Sequence, residues 1–403
     1  MCLVSGLERY LNRIGRFTAT SVIGALRSAL DARLAGVLDE ALTIQQIPSP
    51  TFDECRRAEY VLSRFKQIPR LDPKSIRLDD LYNVYACLPG TAANGNRRSL
   101  LISAHTDTVF DRHTPLQAVR HNGVISAPGI GDNSLGVAAL ITAAEVFGAS
   151  HAPRLPADLW FVANSREEGM GDLGGIKAVY AALADNLTSA IVLEGMALGH
   201  VYIGGIAVRR YRITCRTAGG HSWLHFGRPS AIHHLMRLGA QLASVQPSHS
   251  PRTTYNIGVV EGGQSVNTIA ASASFLLDLR SETREGLALL EGTVHNLITM
   301  NTSDDVRFEV QVVGDRPSGR LPRTHPLAQL AQDTLQYLGI TPVFESGSTD
   351  ANVLLAAGLP TITIGITRGG NAHRTDEYIE AGPIQDGLWQ LILLIAGVAQ
   401  GLA

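Results

Sequence analysis

The sequence predicts an α/β fold, in which a mixed, mostly parallel sheet flanked by helices is interrupted by an inserted α+β domain of antiparallel strands and two helices. Short apolar runs such as residues 99–104, 159–163 and 189–193 alternate with helical patterns, which is typical of parallel sheets with helical crossovers. Between about residues 206 and 313 the pattern changes to alternating strands. After Pro317 the doubly wound pattern resumes, so the middle segment is predicted as an insertion.

Four segments follow from this division. Residues 31–205 and 314–403 form the two parts of the main domain, residues 206–313 form a lid domain of roughly 110 residues, and residues 1–30 form an N-terminal helical extension. Arginines interrupt any signal-peptide core in the extension. We expect a helix packed on the body of the protein, with an organelle address or a membrane-surface helix as the alternative.

Composition excludes several classes of function. The chain has 403 residues, of which 45% are hydrophobic and 17% charged, so it can form two sizeable cores. Its formal net charge of −2 does not favour nucleic acid as a partner. The apolar run 391–399 is too short to span a bilayer, so no membrane association is expected. The four cysteines are far apart and predict neither a disulfide framework nor a thiolate zinc site, which makes the cytoplasm the default location.

Local patterns predict the elements along the chain. Residues 32–46 form a helix that ends at Pro48 and Pro50. Residues 51–65 form a second helix, with Thr51 as its N-cap and Glu54 at the spacing of a capping box. A glycine-bearing turn at residues 128–134 opens into a helix over 135–147. The lid is predicted to contain strands at 208–217, 254–260, 272–280 and 306–313 and helices at 230–244 and 283–299.

Residues with metal-binding or acid–base chemistry follow several of the strand-like runs. Each of five residues follows such a run, directly or through a short loop: His105, Glu167, Glu168, Glu194 and His373. A Glu-Glu pair taken alone is more typical of a solvated loop. Because ligands of open α/β sheets gather at the carboxyl ends of the strands, we expect the five side chains to converge.

Two aspartates extend this set. Asp107 can hydrogen-bond the far nitrogen of His105 or brace its loop. Asp132 lies in the glycine-bearing turn, where the alternative role is an N-cap of the next helix. Imidazole and carboxylate donors suit zinc, cobalt or manganese and argue against iron–sulfur or copper sites. Two metals that share a carboxylate such as Asp132 are favoured over one.

Several short motifs occur in a fixed order: His-Thr-Asp (105–107), Gly-Asp-Asn (131–133), Glu-Glu-Gly (167–169), Glu194, Gly-Gly-His-Ser (219–222), Gly-Gly-x-x-x-Asn (262–267), Asp-x-Arg (278–280), Ser-Thr-Asp-Ala (348–351) and His373. This ordered set resembles the aminoacylase, acetylornithine deacetylase and zinc dipeptidase family, from about residue 36 to the end. The chain departs from the pattern at the bulky Trp223 and at Arg209-Arg210.

The resemblance implies a role for each motif residue. It implies His105, Asp132 and Glu194 on one metal and Asp132, Glu168 and His373 on the other, together with a cis bond after Asp132. Glu167, Asp107 and His221 form the implied catalytic set, with Glu167 as general base and His221 helping to stabilise the oxyanion. Asn267 and Arg280 are the implied substrate-binding residues, although an ion pair with Asp278 is an alternative for Arg280. A homodimer through the lid, which can lend His221 to the neighbouring subunit, is also implied.

These observations predict a hydrolase with two divalent metal ions, zinc or alternatively cobalt or manganese. Its expected substrates are N-acyl amino acids or short peptides with a free C-terminal carboxylate, because a glutamate at 194 goes, in the resemblance, with deacylases and carboxypeptidases. A dipeptidase or aminopeptidase on the same scaffold is the alternative. A metal-free binding protein is the third possibility. The substrate side chain, the native metal and the oligomeric state do not follow from the sequence.

Overall fold

The computed structural model of the protein describes residues 14–93 and 98–403. The chain divides into two compact units, unit 1 (Met1–Gly204 and Arg320–Ala403) and unit 2 (Gly205–Gly319). The predicted N-terminal extension lies in part outside the described residues. Its described part contains a helical stretch at 14–18, and Ile14 and Phe17 are buried in the core of unit 1.

The strands and helices follow one another along the chain with the following bounds. The strands are β1 (Arg77–Leu78), β2 (Val84–Leu88), β3 (Ser99–His105), β4 (Val119–His121), β5 (Val124–Ser126), β6 (Asp158–Asn164), β7 (Ser189–Glu194), β8 (His200–Gly205), β9 (Ala207–Arg216), β10 (Gly220–His221), β11 (Thr253–Gly262), β12 (Thr268–Ile269), β13 (Ser272–Ser281), β14 (Arg307–Arg316), β15 (Gly319–Arg320), β16 (Val343–Gly347), β17 (Thr361–Gly365), β18 (Gly369–Gly370) and β19 (Tyr378–Glu380). The helices are α1 (Ser21–Asp31), α2 (Leu34–Gln45), α3 (Cys55–Phe65), α4 (Leu135–Gly148), α5 (Gly174–Leu183), α6 (Ala231–Ala243), α7 (Arg284–Asn301), α8 (Pro326–Tyr337), α9 (Ala351–Ala356) and α10 (Ile384–Ala399).

Unit 1 is built on a mixed sheet with the strand order β1-β2-β6-β3-β7-β17-β8-β15, and β16 pairs with β8. The central strands β6, β3, β7 and β17 are parallel, whereas β2 and β8 run antiparallel to their neighbours. Residues of β3 and β17 are buried along their whole length, as is typical of central strands in a parallel sheet covered on both faces. A small antiparallel sheet, β18-β19-β5-β4, completes the unit. The predicted mixed, mostly parallel sheet is confirmed.

The helix α4 lies in the core of unit 1. It contacts β3, β6 and β7 on the sheet and α2 beside it. The stretch Ile130–Gly148 is long and apolar enough to cross a membrane, but 89% of its most apolar stretch is buried inside the protein. Its apolar composition is therefore that of a helix covered on all sides by its own domain.

One local prediction is wrong. The helix predicted over residues 51–65 begins only at Cys55, and no side chain in the described part of the chain caps it with a hydrogen bond. The Thr51 hydroxyl donates to Asp107, and Glu54 accepts from the N–H groups of Phe52 and Arg166. The capping-box spacing is present in the sequence, but both side chains bind elsewhere in the tertiary structure.

Unit 2 contains the predicted antiparallel sheet with two helices. The strand order is β11-β13-β9-β14, and α6 and α7 contact β13. Alternate residues of β13, such as Phe275 and Leu277, are buried together with Leu238 of α6 and Val294 of α7. The two-stranded ribbon β10-β12 also belongs to this unit. The predicted α+β insertion is confirmed as a fold.

Candidate metal centre

Parallel strands of unit 1 end level with one another at one edge of the sheet. β3 ends at His105, which is aligned with Asn164 at the end of β6. β7 ends at Glu194, which is aligned with Gly365 at the end of β17. Because the register is level, residues at or just after these strand ends lie close together.

The first cluster at this edge consists of His105, Asp132 and Glu194. Asp132 comes from the turn that precedes α4. Nε2 of His105 lies 3.1 Å from Oδ1 of Asp132 and 3.6 Å from Oε2 of Glu194. One nitrogen or oxygen atom of each residue lies within 4.8 Å of the other two, so the three side chains can hold a metal ion together.

The second cluster consists of Asp132, Glu168 and His373. Nε2 of His373 lies 3.2 Å from Oδ2 of Asp132 and 3.3 Å from Oε1 of Glu168. Asp132 therefore offers Oδ1 to the first cluster and Oδ2 to the second. A carboxylate with this geometry can bridge two cations. The peptide bond between Asp132 and Asn133 is cis, as the resemblance implied.

The donor set fits two divalent cations of the zinc type. It contains two imidazoles and the three carboxylates of Asp132, Glu168 and Glu194, all of them nitrogen or oxygen donors. With neutral histidines, the carboxylates place three negative charges in a largely buried space. Buried charges are costly unless opposite charges offset them, so the site favours positive charge.

The raised pKa values of four candidate ligands also indicate that the site favours positive charge. Burial lowers the pKa of His105, but hydrogen bonds to neighbouring carboxylates outweigh it and raise that pKa well above its ordinary value. Hydrogen bonds to Asp132 and Glu168 raise the pKa of His373 to about 10. Burial raises the pKa of Glu168 and that of Glu194 to about 7. The cluster therefore holds protons that a bound cation would displace.

Asp107 connects the histidine to the glutamate pair. Nδ1 of His105 lies 3.1 Å from the backbone oxygen of Asp107 and 3.5 Å from its carboxylate. The carboxylate accepts hydrogen bonds from the N–H groups of Glu167 and Glu168, each at 2.9 Å, and from the Thr51 hydroxyl at 2.9 Å. Asp107 thus orients the imidazole mainly through its backbone and braces the glutamate turn through its side chain.

Glu167 lies outside the two clusters that share Asp132. Its donor atom groups with those of His105 and Glu168, so it lies beside both clusters. The residue is 6% exposed. Its N–H donates to Asp107, which fixes the backbone on which both glutamates stand. This placement suits a group that exchanges protons next to the metal ligands.

Three further buried carboxylates accept hydrogen bonds near the site, and the sequence did not identify them as functional. Glu377 accepts from backbone N–H groups of the turn that carries the shared aspartate. Glu54 accepts from the N–H of Arg166, directly before the glutamate pair. Asp350 accepts from the side chain of Asn164 at 2.6 Å. Asp350 lies in the Ser-Thr-Asp-Ala motif, which could have pointed to it, whereas nothing in the sequence marks the burial of the other two.

Unit 2 places two of the predicted lid residues side by side. The pairing of β10 with β12 brings the N–H of Ser222 to 3.0 Å from the backbone oxygen of Asn267. Nδ1 of His221 accepts from the N–H groups of Trp223 at 3.2 Å and Leu224 at 3.4 Å. A neutral His221 therefore carries its proton on Nε2, which makes Nε2 a hydrogen-bond donor.

Arg280 takes part in a shared ion pair in unit 2. Its Nε lies 2.6 Å from Oδ2 of Asp278, while Nε of Arg210 lies 2.9 Å from Oδ1 of the same carboxylate. The ion pair that the sequence left open is thus present. Arg209 turns the other way and pairs with Glu291 of α7 at 2.9 Å. Of the two neighbouring arginines, Arg210 is the one that shares a partner with Arg280.

Comparison with known proteins gives a family and relatives. The family model of peptidase family M20/M25/M40 matches residues 101–396, more than half of the chain. A curated relative, the succinyl-diaminopimelate desuccinylase of Methylobacillus flagellatus, is 23% identical over 365 residues, which cover 84% of this chain and 92% of the relative.

Solved structures share the fold. A tripeptidase from Staphylococcus aureus superimposes with a TM-score of 0.75 at 18% identity, over 91% of this chain and 99% of that one. A Bacillus subtilis protein described as a dinuclear metal binding peptidase from the M20 family superimposes with a TM-score of 0.67 at 14% identity, over 92% and 99% of the two chains. Both matches extend over more than nine-tenths of this chain.

Proposed function

The chain belongs to peptidase family M20/M25/M40, and from this membership we propose that it is a two-metal hydrolase that cleaves the amide bond of N-acyl amino acids or of short peptides with a free C-terminal carboxylate. The observation that carries the proposal is the shared aspartate. Asp132 turns one oxygen to His105 and the other to His373, so one carboxylate can serve two cation sites. The Bacillus subtilis neighbour, described as binding a dinuclear metal, supports the same number.

In this proposal, His105, Asp132 and Glu194 hold one cation, and Asp132, Glu168 and His373 hold the other. Zinc suits these donors, with cobalt or manganese as alternatives. When bound, the cations supply Lewis acidity that polarises a carbonyl and lowers the pKa of water from about 15.7 to about 7.

Glu167 is the general base. It takes a proton from the attacking water and returns the proton to the nitrogen that leaves. The backbone N–H of Glu167 donates to Asp107, which holds the residue beside the metal ligands. Glu167 itself belongs to neither of the two clusters that share Asp132. Asp107 also accepts from Glu168, so it keeps the base and a ligand in one arrangement.

The substrate-contacting roles of His221, Asn267 and Arg280 rest on the family resemblance and on their chemistry. The Nε2 proton of His221 can be donated to an oxyanion, because Nδ1 already accepts from the backbone. The guanidinium group of Arg280 can pair with a carboxylate in a bidentate manner, while Asp278 steadies its Nε. The desuccinylase relative supports a deacylase.

A peptidase that requires a free amino group is the second candidate, which the tripeptidase neighbour supports. Matched substrates separate the two. For a deacylase or carboxypeptidase, esterifying the substrate carboxylate should lower kcat/KM about tenfold or more, since charge-assisted hydrogen bonds are worth about 1.5–3 kcal/mol. Acylating the amino group should be tolerated. A free amino group that proves essential, together with a dispensable carboxylate, would establish the second candidate.

Arg280→Lys provides the control for this substrate test. Lysine keeps the charge and loses the planar fork. The variant should therefore lose activity on the free acid and retain activity on the ester. Equal losses on both substrates would argue against Arg280 as the carboxylate ligand.

A cytoplasmic location and a homodimer formed through unit 2 are also part of the proposal. Among the residues that the structure describes, Cys55, Cys87 and Cys215 form no disulfide bond, which suits a reducing compartment. The edge strand β11 has exposed residues from 258 to 262, including Val260 at 65% exposure. A long edge strand with exposed apolar side chains is prone to pair with a second chain.

A further inference from the structure

Glu377 is a fully buried glutamate that contacts the backbone around the shared aspartate. Its Oε1 accepts hydrogen bonds from the N–H groups of Gly131 at 2.7 Å and Asp132 at 2.9 Å. It comes four residues after His373, a candidate ligand of the second cluster. One short segment therefore supplies a candidate ligand and also holds the backbone of another.

The backbone of Glu377 holds the other end of the same turn. Its carbonyl accepts from the N–H of Ala127 at 2.9 Å, and the strand that follows, β19, pairs with β5, which ends at Ser126. Glu377 thus forms hydrogen bonds with both ends of the turn that carries Asp132: its carbonyl binds the start of the turn at Ala127, and its carboxylate binds Gly131 and Asp132. Its geometry depends on a residue about 245 positions away in the chain.

A close contact on another side prevents the turn from shifting freely. A Cβ added to Gly195, the residue after Glu194, would lie 2.1 Å from the carbonyl oxygen of Gly131. The backbones of the two ligand-bearing segments therefore touch. The N–H groups of Gly131 and Asp132 need an acceptor inside this packed turn, because leaving a buried N–H unpaired costs about 1–3 kcal/mol.

From these contacts we infer that Glu377 is a positioning residue for the metal centre, which fixes the backbone of Asp132 so that its two oxygens face the two clusters. Without an acceptor at this place, the turn would have to rotate its N–H groups toward another partner and would carry the Asp132 carboxylate with it. Oε2 of Glu377 has no hydrogen-bond partner among the residues that the structure describes. Oε1 alone accepts the hydrogen bonds that position the turn, so the side-chain carbonyl oxygen of a glutamine can replace it.

This inference rests on the proposed function, so the wild-type protein is measured first. Protein stripped with a chelator is titrated with zinc and with cobalt in competition with a chromophoric chelator. Failure of the wild type to bind two ions would contradict the proposed function itself. If two ions bind, the variants test Glu377 separately.

Glu377→Leu removes the acceptor at similar volume and should raise the metal Kd about 10–100-fold, the usual effect of losing a residue that orients a metal ligand. Glu377→Gln keeps an acceptor and should stay within about threefold of the wild type. Cobalt absorption spectra should change in the leucine variant and remain unchanged in the glutamine variant. An unchanged Kd in Glu377→Leu, or equal losses in both variants, would overturn the inference.

Glu54→Leu is the matched control. Glu54 is also fully buried and accepts from two backbone N–H groups, those of Phe52 at 3.0 Å and Arg166 at 3.1 Å. Its loss should lower thermal stability as Glu377→Leu does, while the metal Kd stays within about threefold, because Asp107 still holds the glutamate turn. An equal rise of the metal Kd in both leucine variants would overturn the inference, because it would show that Glu377 affects metal binding only through the stability of the fold.

If Glu377→Leu does not fold, Glu377→Asp decides the question. The shorter side chain withdraws the carboxylate from the two N–H groups by one methylene. Weakened metal binding in Glu377→Asp beside near-normal binding in Glu377→Gln would support positioning by the hydrogen bonds. Wild-type binding in Glu377→Asp would overturn it.

Discussion

Glu167 and Glu168 are adjacent on the chain, but their side chains have different neighbours. Glu168 lies 3.3 Å from His373 within the cluster that includes Asp132, whereas Glu167 lies outside both clusters that share Asp132. Neighbouring residues of an extended or turning backbone point in different directions, so one can bind a metal while the other transfers protons. The different roles proposed for the two glutamates therefore follow from the local direction of the backbone.

Glu167→Ala should separate the two roles. We expect the metal content to stay near that of the wild type, while kcat falls by about 10²–10⁴, the usual contribution of a general base. Glu168→Ala is the matched variant and should lose at least one bound ion. The measurement is metal analysis and steady-state kinetics on the same samples. Loss of both ions in Glu167→Ala would mean that the two glutamates were assigned the wrong way round.

At the residue scale, local sequence patterns pointed to the candidate metal ligands but not to the buried carboxylates that bind the backbone around them. His105 and Glu194 are marked by the apolar strands that they end, so they could be predicted from local pattern. Glu377 stands in the polar run Arg-Thr-Asp-Glu, which predicts a solvated loop. Its burial results from packing against a turn distant in sequence, which no local pattern contains.

At the scale of elements, the hydrophobic periodicity and the length of each segment predicted most strands and helices. Tertiary contacts determined the exceptions. β3, β6 and β7 were predicted because buried parallel strands contain continuous apolar runs. The start of α3 was predicted wrongly because Thr51 and Glu54 bind Asp107 and Arg166 instead of the helix end. Capping is a local rule, and a nearby site with unpaired donors and acceptors can override it.

The edge strand β11 gives a prediction at this scale. A lysine at Val260 places a charge on the exposed edge, which should weaken pairing with a second chain. Val312→Lys on the opposite edge strand β14 is the control, since Val312 is also exposed, at 50%. Sedimentation velocity should show a shift toward single chains for Val260→Lys alone. A wild type that is already a single chain, or equal behaviour of the two variants, would exclude dimerisation through β11.

At the scale of the whole molecule, the site should make the stability of the metal-free protein depend on pH. Glu168 and Glu194 have pKa values of about 7 against an ordinary 4.5, so the folded chain holds protons that the unfolded chain has released. That contribution is lost as the pH rises through about 7. His373, with a pKa of about 10 against 6.5, contributes fully below pH 6.5 and loses its contribution as the pH rises through about 10.

The three residues act with the same sign, so the free energy of unfolding of chelator-treated protein should fall between about pH 5 and pH 9. Urea denaturation at several pH values measures it. Added zinc should reverse the trend, because cations replace the protons and bind more tightly as ligands deprotonate. A free energy of unfolding that rises with pH in the chelator would contradict the assigned charges.

The central claim is that one chain holds two cations through the shared Asp132 and uses them to hydrolyse an amide. The most direct measurement is a zinc or cobalt titration of chelator-stripped protein, with bound metal and hydrolysis of an N-acyl amino acid followed together. We predict that two equivalents bind per chain, that hydrolysis rises with their binding, and that Asp132→Asn weakens both sites at once. Full hydrolysis by the stripped protein, or saturation at one equivalent, would contradict the account.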